Sequence, residues 1–149
     1  PFLVEGWALY WEMQLWDKNW ARGPEDRIGM LFWRMHRCAR IIVSLGFHLG
    51  TMTPPQMIDF LVDRVGHERF SATSEVRRFV GDSYSPLYQC AYMIGGMQIR
   101  ALQKELSKQP LKTFHDAILH EGPIPIDLIR IALKGDKPAR NQPYWKFDN

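Results

Sequence analysis

The chain has 149 residues, 46% hydrophobic and 23% charged, the size and balance of one domain with a sizeable core, which excludes a disordered chain. Two cysteines exclude a disulfide scaffold, and a net charge of +3 without a basic run excludes a phosphate-binding surface for nucleic acid. The apolar stretches are broken by Arg, Gln or Gly within a few residues, so no transmembrane span is expected.

Trp7, Trp11, Trp16 and Trp20 recur at steps of four, five and four, with Leu9, Met13 and Leu15 between them. This predicts a helix over 4–20, apolar around more than half its circumference and therefore buried. Left exposed, such a helix favours self-association. Ala21-Arg22-Gly23-Pro24 ends it, and Glu25-Asp26 supplies acid where the next helix dipole favours it. That helix, over 25–45, carries Ile28, Leu31, Phe32, Met35, Ala39, Ile42 and Val43 on one broad face, expected to point inward. Thr53-Pro54 opens a third over 54–66, and a short fourth covers 72–81. Ser85-Pro86 opens a long fifth to 107, Pro110 a sixth ending at Gly122, and Pro125 a seventh ending near Gly135. Residues 135–149 read as an irregular tail anchored by Tyr144, Trp145 and Phe147.

No window alternates with period two, so the fold class is all-α, a compact bundle of about seven helices in a single domain over 1–149. Cys38 and Cys90 lie within predicted helix and read as buried, reduced residues. The opening Pro1-Phe2-Leu3-Val4, without initiator Met or polar leader, reads as the C-terminal part of a longer protein. Export or cytoplasmic residence then depends on the missing N-terminal part.

Candidate chemistry begins with Glu5 and Glu12, which share a helix face but stand about 10.5 Å apart along the axis, too far to ligate one ion. One can be a ligand and the other a supporting group, or both can lie on a solvated strip. His67-Glu68 and His120-Glu121 both fail the H-E-x-x-H zinc motif, because start or stop signals follow each. Asp116 and His120, four residues apart, suit a helical ligand pair or, more often, an ion pair. Arg34, Arg37 and Arg40 step by three, which suits either a solvated strip or forks for a substrate carboxylate. His48 at a helix end is a candidate proton donor, and Tyr84, Tyr88 and Tyr92 recur at four-residue steps. Gly95-Gly96 inside a helix predicts a close helix–helix approach.

Several stretches together resemble a bacterial family known as domain of unknown function 885, whose members look like gluzincin-type zinc metallopeptidases. The carrying residues are Glu5-Gly6-Trp7-Ala8-Leu9-Tyr10 with Glu12; Arg37, Arg40-Ile41-Ile42-Val43 and Gly46-Phe47-His48; Glu75-Val76 with Arg78; Tyr92 with Gly95; Phe114-His115-Asp116; and Gly122 with Pro125. They occur in the family's order over roughly residues 2–133. Ser44-Leu45 stands where the family often shows Asp-Thr, Phe79 where it shows Tyr, and Tyr88 where Gln is common.

The resemblance implies the C-terminal part of a larger zincin-like helical fold, with peptides as substrates. An upstream helix would supply two zinc-binding His and a general-base Glu, with Glu5 as the third protein ligand and Glu12 beside the ligand shell. His48 and Tyr92 become the catalytic candidates, and Arg40 and Arg37 the substrate-binding ones. This chain alone is expected to bind zinc poorly or not at all and to hydrolyse nothing. A reading from a different class is a non-catalytic helical interaction domain in which Glu5, Arg40 and His48 form a buried polar network.

Overall fold

A computed structural model describes residues 1–141 and Phe147. Among these residues the chain forms seven α-helices and no strand: α1 Phe2–Asp17, α2 Pro24–His48, α3 Pro54–Phe60, α4 Arg69–Val80, α5 Ala91–Glu105, α6 Leu111–Glu121 and α7 Ile126–Lys134. No helix is long and apolar enough to cross a membrane.

Local signals account for most of the boundaries. Pro24 opens α2 with Glu25 and Asp26 in its first turn. The Gln56 side chain accepts from the Thr53 backbone N–H at 2.8 Å, fixing the start of α3. α3 continues into a wider π-helical turn over Leu61–Val65, which Gly66 ends in the left-handed region at φ 85°. The Glu68 carboxylate then accepts from the Ser71 N–H at 3.0 Å, so the acid of the failed zinc motif is the N-cap of α4.

The core has two main parts. Leu3 and Tyr10 of α1 pack with Ile99 and Leu102 of α5, Phe114 and Ile118 of α6, and Ile126 and Ile129 of α7. Ala39 and Val43 of α2 pack with Met57 of α3, Leu61 and Val65 of the π turn, and Ala72, Val76 and Phe79 of α4. Leu9, Met13 and Met93 form a smaller cluster on the α1–α5 side. There the backbones nearly touch: a Cβ on Gly95 would lie 2.1 Å from the Phe2 carbonyl oxygen, and one on Gly6 2.4 Å from the Gly95 carbonyl carbon. The close approach expected from Gly95-Gly96 is therefore present, with Gly6 as its counterpart.

Several expectations need correction. α1 ends at Asp17, and Trp20 is 71% exposed beyond it. Trp7, Trp11 and Trp16 are half-buried, so the first helix is not the exposed apolar element. The fifth helix does not open at Ser85-Pro86: Leu87 takes φ 63°, a short 3₁₀ turn covers Tyr88–Cys90, and α5 begins only at Ala91. Cys38 is exposed, whereas Cys90 is buried. The largest correction concerns α2. Ala39 and Val43 are buried, but Ile28, Leu31, Met35 and Ile42 are exposed, and His36, Arg40 and Ser44 are buried in their stead. The anchoring role given to Tyr144 and Trp145 falls outside the described residues, and Phe147 is exposed.

The glycine contact yields a paired test. Gly95→Ala drives a methyl into backbone that cannot rotate away, and is expected to cost about 3 kcal/mol, lowering Tm by on the order of 10 °C. Gly29→Ala, in open space on α2, is expected to raise stability by about 0.5–1 kcal/mol. Thermal and urea denaturation of the two variants check both signs.

Candidate functional site

Polar groups from α1, α2, α4 and the start of α5 gather into one connected cluster. Glu5 stands beside the Gly6 contact, so its carboxylate meets the first residues of the α5 segment. The Tyr88 hydroxyl donates to Glu5 Oε1 at 2.5 Å. Leu87, in the left-handed region, turns the chain immediately before Tyr88, a conformation that a leucine rarely adopts. The hydrogen bond to Glu5, with some desolvation, pushes the Tyr88 phenol up to about 12. Burial, then the charge and hydrogen bond of Glu5, also raise the Tyr92 phenol. Both phenols therefore stay protonated near neutrality, as donors to the carboxylate.

Arg40 and Arg37 lie against the ring of Tyr92, with guanidinium carbons 4.9 Å and 6.0 Å from its centroid. Arg40 is buried, and its Nε donates to Glu75 Oε1 at 2.6 Å. Arg78 Nη1 reaches the other Glu75 oxygen at 3.3 Å, and its guanidinium carbon stands 5.1 Å from the Tyr84 centroid. Tyr84 in turn packs on Tyr88 with centroids 5.0 Å apart. Glu5, Tyr88, Tyr84, Arg78, Glu75, Arg40 and Tyr92 thus form a closed ring of contacts.

Glu75 also faces His36 Nε2 at 3.6 Å, while His36 Nδ1 shares a 2.7 Å hydrogen bond with His67 Nε2. The π turn and Gly66 deliver His67 to this position. Burial would raise the Glu75 carboxyl, but the facing His36 and Arg40 overcome it and hold the group at about 2. Burial, and then the neighbouring His36, lower His67.

The candidate residues are only partly brought together. Glu5, Tyr92 and Arg40 meet. Arg37 joins them through Tyr92, and its Nη2 donates to Glu12 Oε1 at 2.6 Å. Glu12 therefore belongs with Arg37, where burial raises its carboxyl against the opposing charges of Arg37 and Arg34. Burial likewise lowers Arg37 despite Glu12. The solvated arginine strip is not formed: Arg34 lies 5.4 Å from the Trp16 centroid, and Arg37 and Arg40 turn inward. His48 is exposed and lines an open cleft of about 470 Å³ with Phe47, Phe79, Asp82, Tyr84 and Pro86. The buried Glu5–Arg40–His48 network is accordingly replaced by one in which Glu75 partners Arg40. Asp116 pairs with Lys112 at 2.5 Å, and His120 is exposed.

Glu75 and His36 are the groups that sequence reasoning did not assign a role. The Glu75-Val76…Arg78 motif marked the position of Glu75 without its function, and nothing local marks His36. His115 is a further buried polar residue, bonded to the Tyr10 hydroxyl at 2.9 Å among the rings of Trp7 and Trp11.

Comparison with known proteins agrees with the motif order. The profile of the family described as bacterial protein of unknown function (DUF885) matches residues 2–133, and the chain belongs to this family. No curated protein and no solved structure matches it.

The Glu75 carboxylate gives a pH dependence with a definite sign. A carboxyl held at about 2 in the folded state and near 4.5 when unfolded stabilises the fold fully above pH 4.5. That contribution, at most about 3 kcal/mol, is lost as pH falls from 4.5 toward 2. Glu75→Gln is expected to flatten this acid limb in urea titrations of unfolding free energy against pH. It should also cost about 3 kcal/mol or more at neutral pH, because Arg40 loses its buried counter-charge.

Proposed function

We propose that this chain is the C-terminal, all-helical part of a zinc-dependent peptidase that hydrolyses peptide bonds in peptides, with Glu5 as the third protein ligand of the metal. The observation that carries this reading is the Glu5 carboxylate, oriented by the Tyr88 hydroxyl at 2.5 Å beside two arginines stacked on Tyr92. Hydrogen-bonded neighbours of this kind fix ligand geometry at metal centres.

The fit to a metal is partial. A carboxylate oxygen is a donor that zinc accepts. Among the described residues, however, no group of three His, Cys, Asp or Glu side chains assembles around one point. His36 and His67 bond to each other, His115 bonds to Tyr10, and His48 and His120 are exposed. On this reading two histidine ligands and a general-base Glu come from another segment of the parent protein, and the 149 residues alone neither hold zinc firmly nor hydrolyse peptides.

Zinc, when bound, supplies a Lewis acid for the scissile carbonyl. The residues of this chain do the rest of what is proposed here. Tyr88 and Tyr92 hold the Glu5 carboxylate in one orientation. Arg40, fixed by Glu75, and Arg37 present positive charge to a peptide carboxylate. Arg37 Nε and Nη1 are buried with no hydrogen-bond partner among the described residues, while its Nη2, which belongs to both two-pronged edges, is held by Glu12. The single O–H of Tyr92 is directed at Glu5 in this structure, and it would have to turn from that carboxylate to serve negative charge developing on the carbonyl oxygen. His48, which lines its own cleft, is the remaining proton-donor candidate of this reading.

In the complete protein, Glu5→Gln is expected to lower bound zinc at least tenfold with far-UV circular dichroism unchanged. Tyr88→Phe should weaken zinc binding by about 10–100-fold, the range for loss of a group that orients a ligand. Unchanged metal content in Glu5→Gln would defeat the assignment. So would chelator-sensitive peptide hydrolysis by the isolated 149-residue chain.

A further inference from the structure

The candidate site uses the Glu75 carboxylate but not the two imidazoles behind it. His36, on the inward face of α2, is only 2% exposed. His67 is half-buried and follows Gly66, whose φ of 85° ends the π turn. The ring centroids of the two histidines stand 4.6 Å apart, and Phe32 and Trp33 meet them edge-on at 5.1 to 6.4 Å. The contacts assign the protons. His36 Nε2 faces Glu75 Oε1 at 3.6 Å, and that carboxyl, held at about 2, is ionised, so this nitrogen carries the hydrogen. His36 Nδ1 is then an acceptor, and His67 Nε2 donates to it across 2.7 Å. Both rings are neutral in this arrangement, and the lone pair on His67 Nδ1 is the one left for a further proton.

A cation on His67 is poorly placed. Burial opposes it first, and His36 and Arg40 of α2 add to the penalty. Glu75 of α4 works the other way without prevailing, so the imidazole titrates below its ordinary 6.5. The remaining charges nearby are engaged elsewhere or exposed: Arg78 bonds the second Glu75 oxygen, Glu68 caps α4, and Asp63 and Arg64 of the π turn face solvent. A histidine whose folded-state pKa is depressed stabilises the fold above its unfolded value, and that contribution is lost as pH falls through 6.5 toward the folded one. The cation is relieved by moving into water. Gly66 gives the chain a hinge for that movement, with open space around it.

We propose that His67 and His36 form an acid-released latch, which ties the π turn to α2 and sets how firmly Glu75 holds Arg40. With both rings neutral the latch is closed. On acidification a proton from water adds to His67 Nδ1, and the imidazolium swings out about Gly66. His36 Nδ1 is then a buried acceptor without a donor, and it takes a second proton. His36 Nε2 and Arg40 Nε both face the same carboxylate oxygen, Glu75 Oε1. A His36 imidazolium therefore competes with Arg40 for that oxygen, and the guanidinium is loosened against Tyr92. Glu75 itself stays ionised, because it is held at about 2. The α1–α5 contact through Gly6 and Gly95 takes no part. The proposal does not depend on the zinc reading, since neither imidazole contacts Glu5.

The test has to be local, because His115, bonded to Tyr10, is also lowered by burial and adds its own pH dependence to overall stability. Amide hydrogen exchange of the chain at about pH 7.5 and about pH 5.5 reads the latch as protection factors, which remove the intrinsic pH dependence of exchange. Protection over residues 61–67 should fall roughly tenfold or more on acidification, while that of α1 and α5 is unchanged. His67→Gln keeps a neutral donor at the Nε2 position and takes up no proton, so its protection should be the same at both pH values. In the wild-type chain, long-range proton–nitrogen spectra at about pH 7.5 should place the hydrogen of both rings on Nε2. On titration, His67 should gain its second hydrogen before His36 does. Equal wild-type protection at the two pH values would overturn the latch. So would a loss of protection that persists in His67→Gln, or a hydrogen on Nδ1 of either ring at about pH 7.5.

Discussion

The contact between Gly6 and the Gly95-Gly96 pair is the constraint on which the rest of the arrangement depends. With no Cβ on any of the three, the backbones of α1 and α5 come within van der Waals range, so their relative position is set by main chain and not by adjustable side chains. Glu5 is the residue before Gly6, and Tyr92 is one turn before Gly96. The packing device that closes this side of the bundle is thus also the device that brings the carboxylate to its phenols. A side chain at either helix would push the two apart along the direction in which Glu5 meets Tyr88.

The second determinant is the orientation of α2. A helix with a continuous apolar row would ordinarily bury it, yet here the buried face carries His36, Arg40 and Ser44. Burying an arginine and a glutamate as a pair is a poor source of stability, because desolvating both charges offsets much of their attraction. What the pair does supply is position. Arg40 is held against Tyr92 by a carboxylate that it shares with Arg78 and His36, and each of these reaches Glu75 from a different direction. The cost is tolerated beside Glu5. Neither the apolar repacking of this spot nor its exposure would keep a cation at that point.

Sequence reading recovers what is local and loses what is distant. The helices were legible because start signals such as Thr53-Pro54 and Pro125 and stop signals such as Gly122 and Gly135 act within a turn of themselves. The delayed start of α5 was not, since a leucine at φ 63° leaves no trace in composition or periodicity. Periodicity also identified the apolar face of α2 without saying what covers it. An inward face and an unpartnered outward one have the same three-four spacing. In the site, Glu5 and Tyr92 were reachable through the motif that contains them. Glu75 acquired a role only through Arg40, 35 residues away, and His36 through His67, 31 residues away. No pattern within one helix encodes either meeting.

These points converge on α2, a single 25-residue helix that carries the arginines of the candidate site on one side and the uncovered row on the other. A helix of that length behaves as a rod, so a load on its outward face is transmitted as a shift of the whole element and not as a local dent. Arg37 and Arg40 alternate with the outward residues Met35, Cys38 and Ile42, each less than one turn away. Covering the row therefore restricts the same turns that hold Arg40 between Glu75 and Tyr92. In an uncovered state those turns would be restrained only from the inward side, by α1, α3, the π turn, α4 and the α5 segment. Whatever packs on the outside of α2 is in this sense part of the scaffold that fixes the cation beside Glu5, even though it touches no residue of the site.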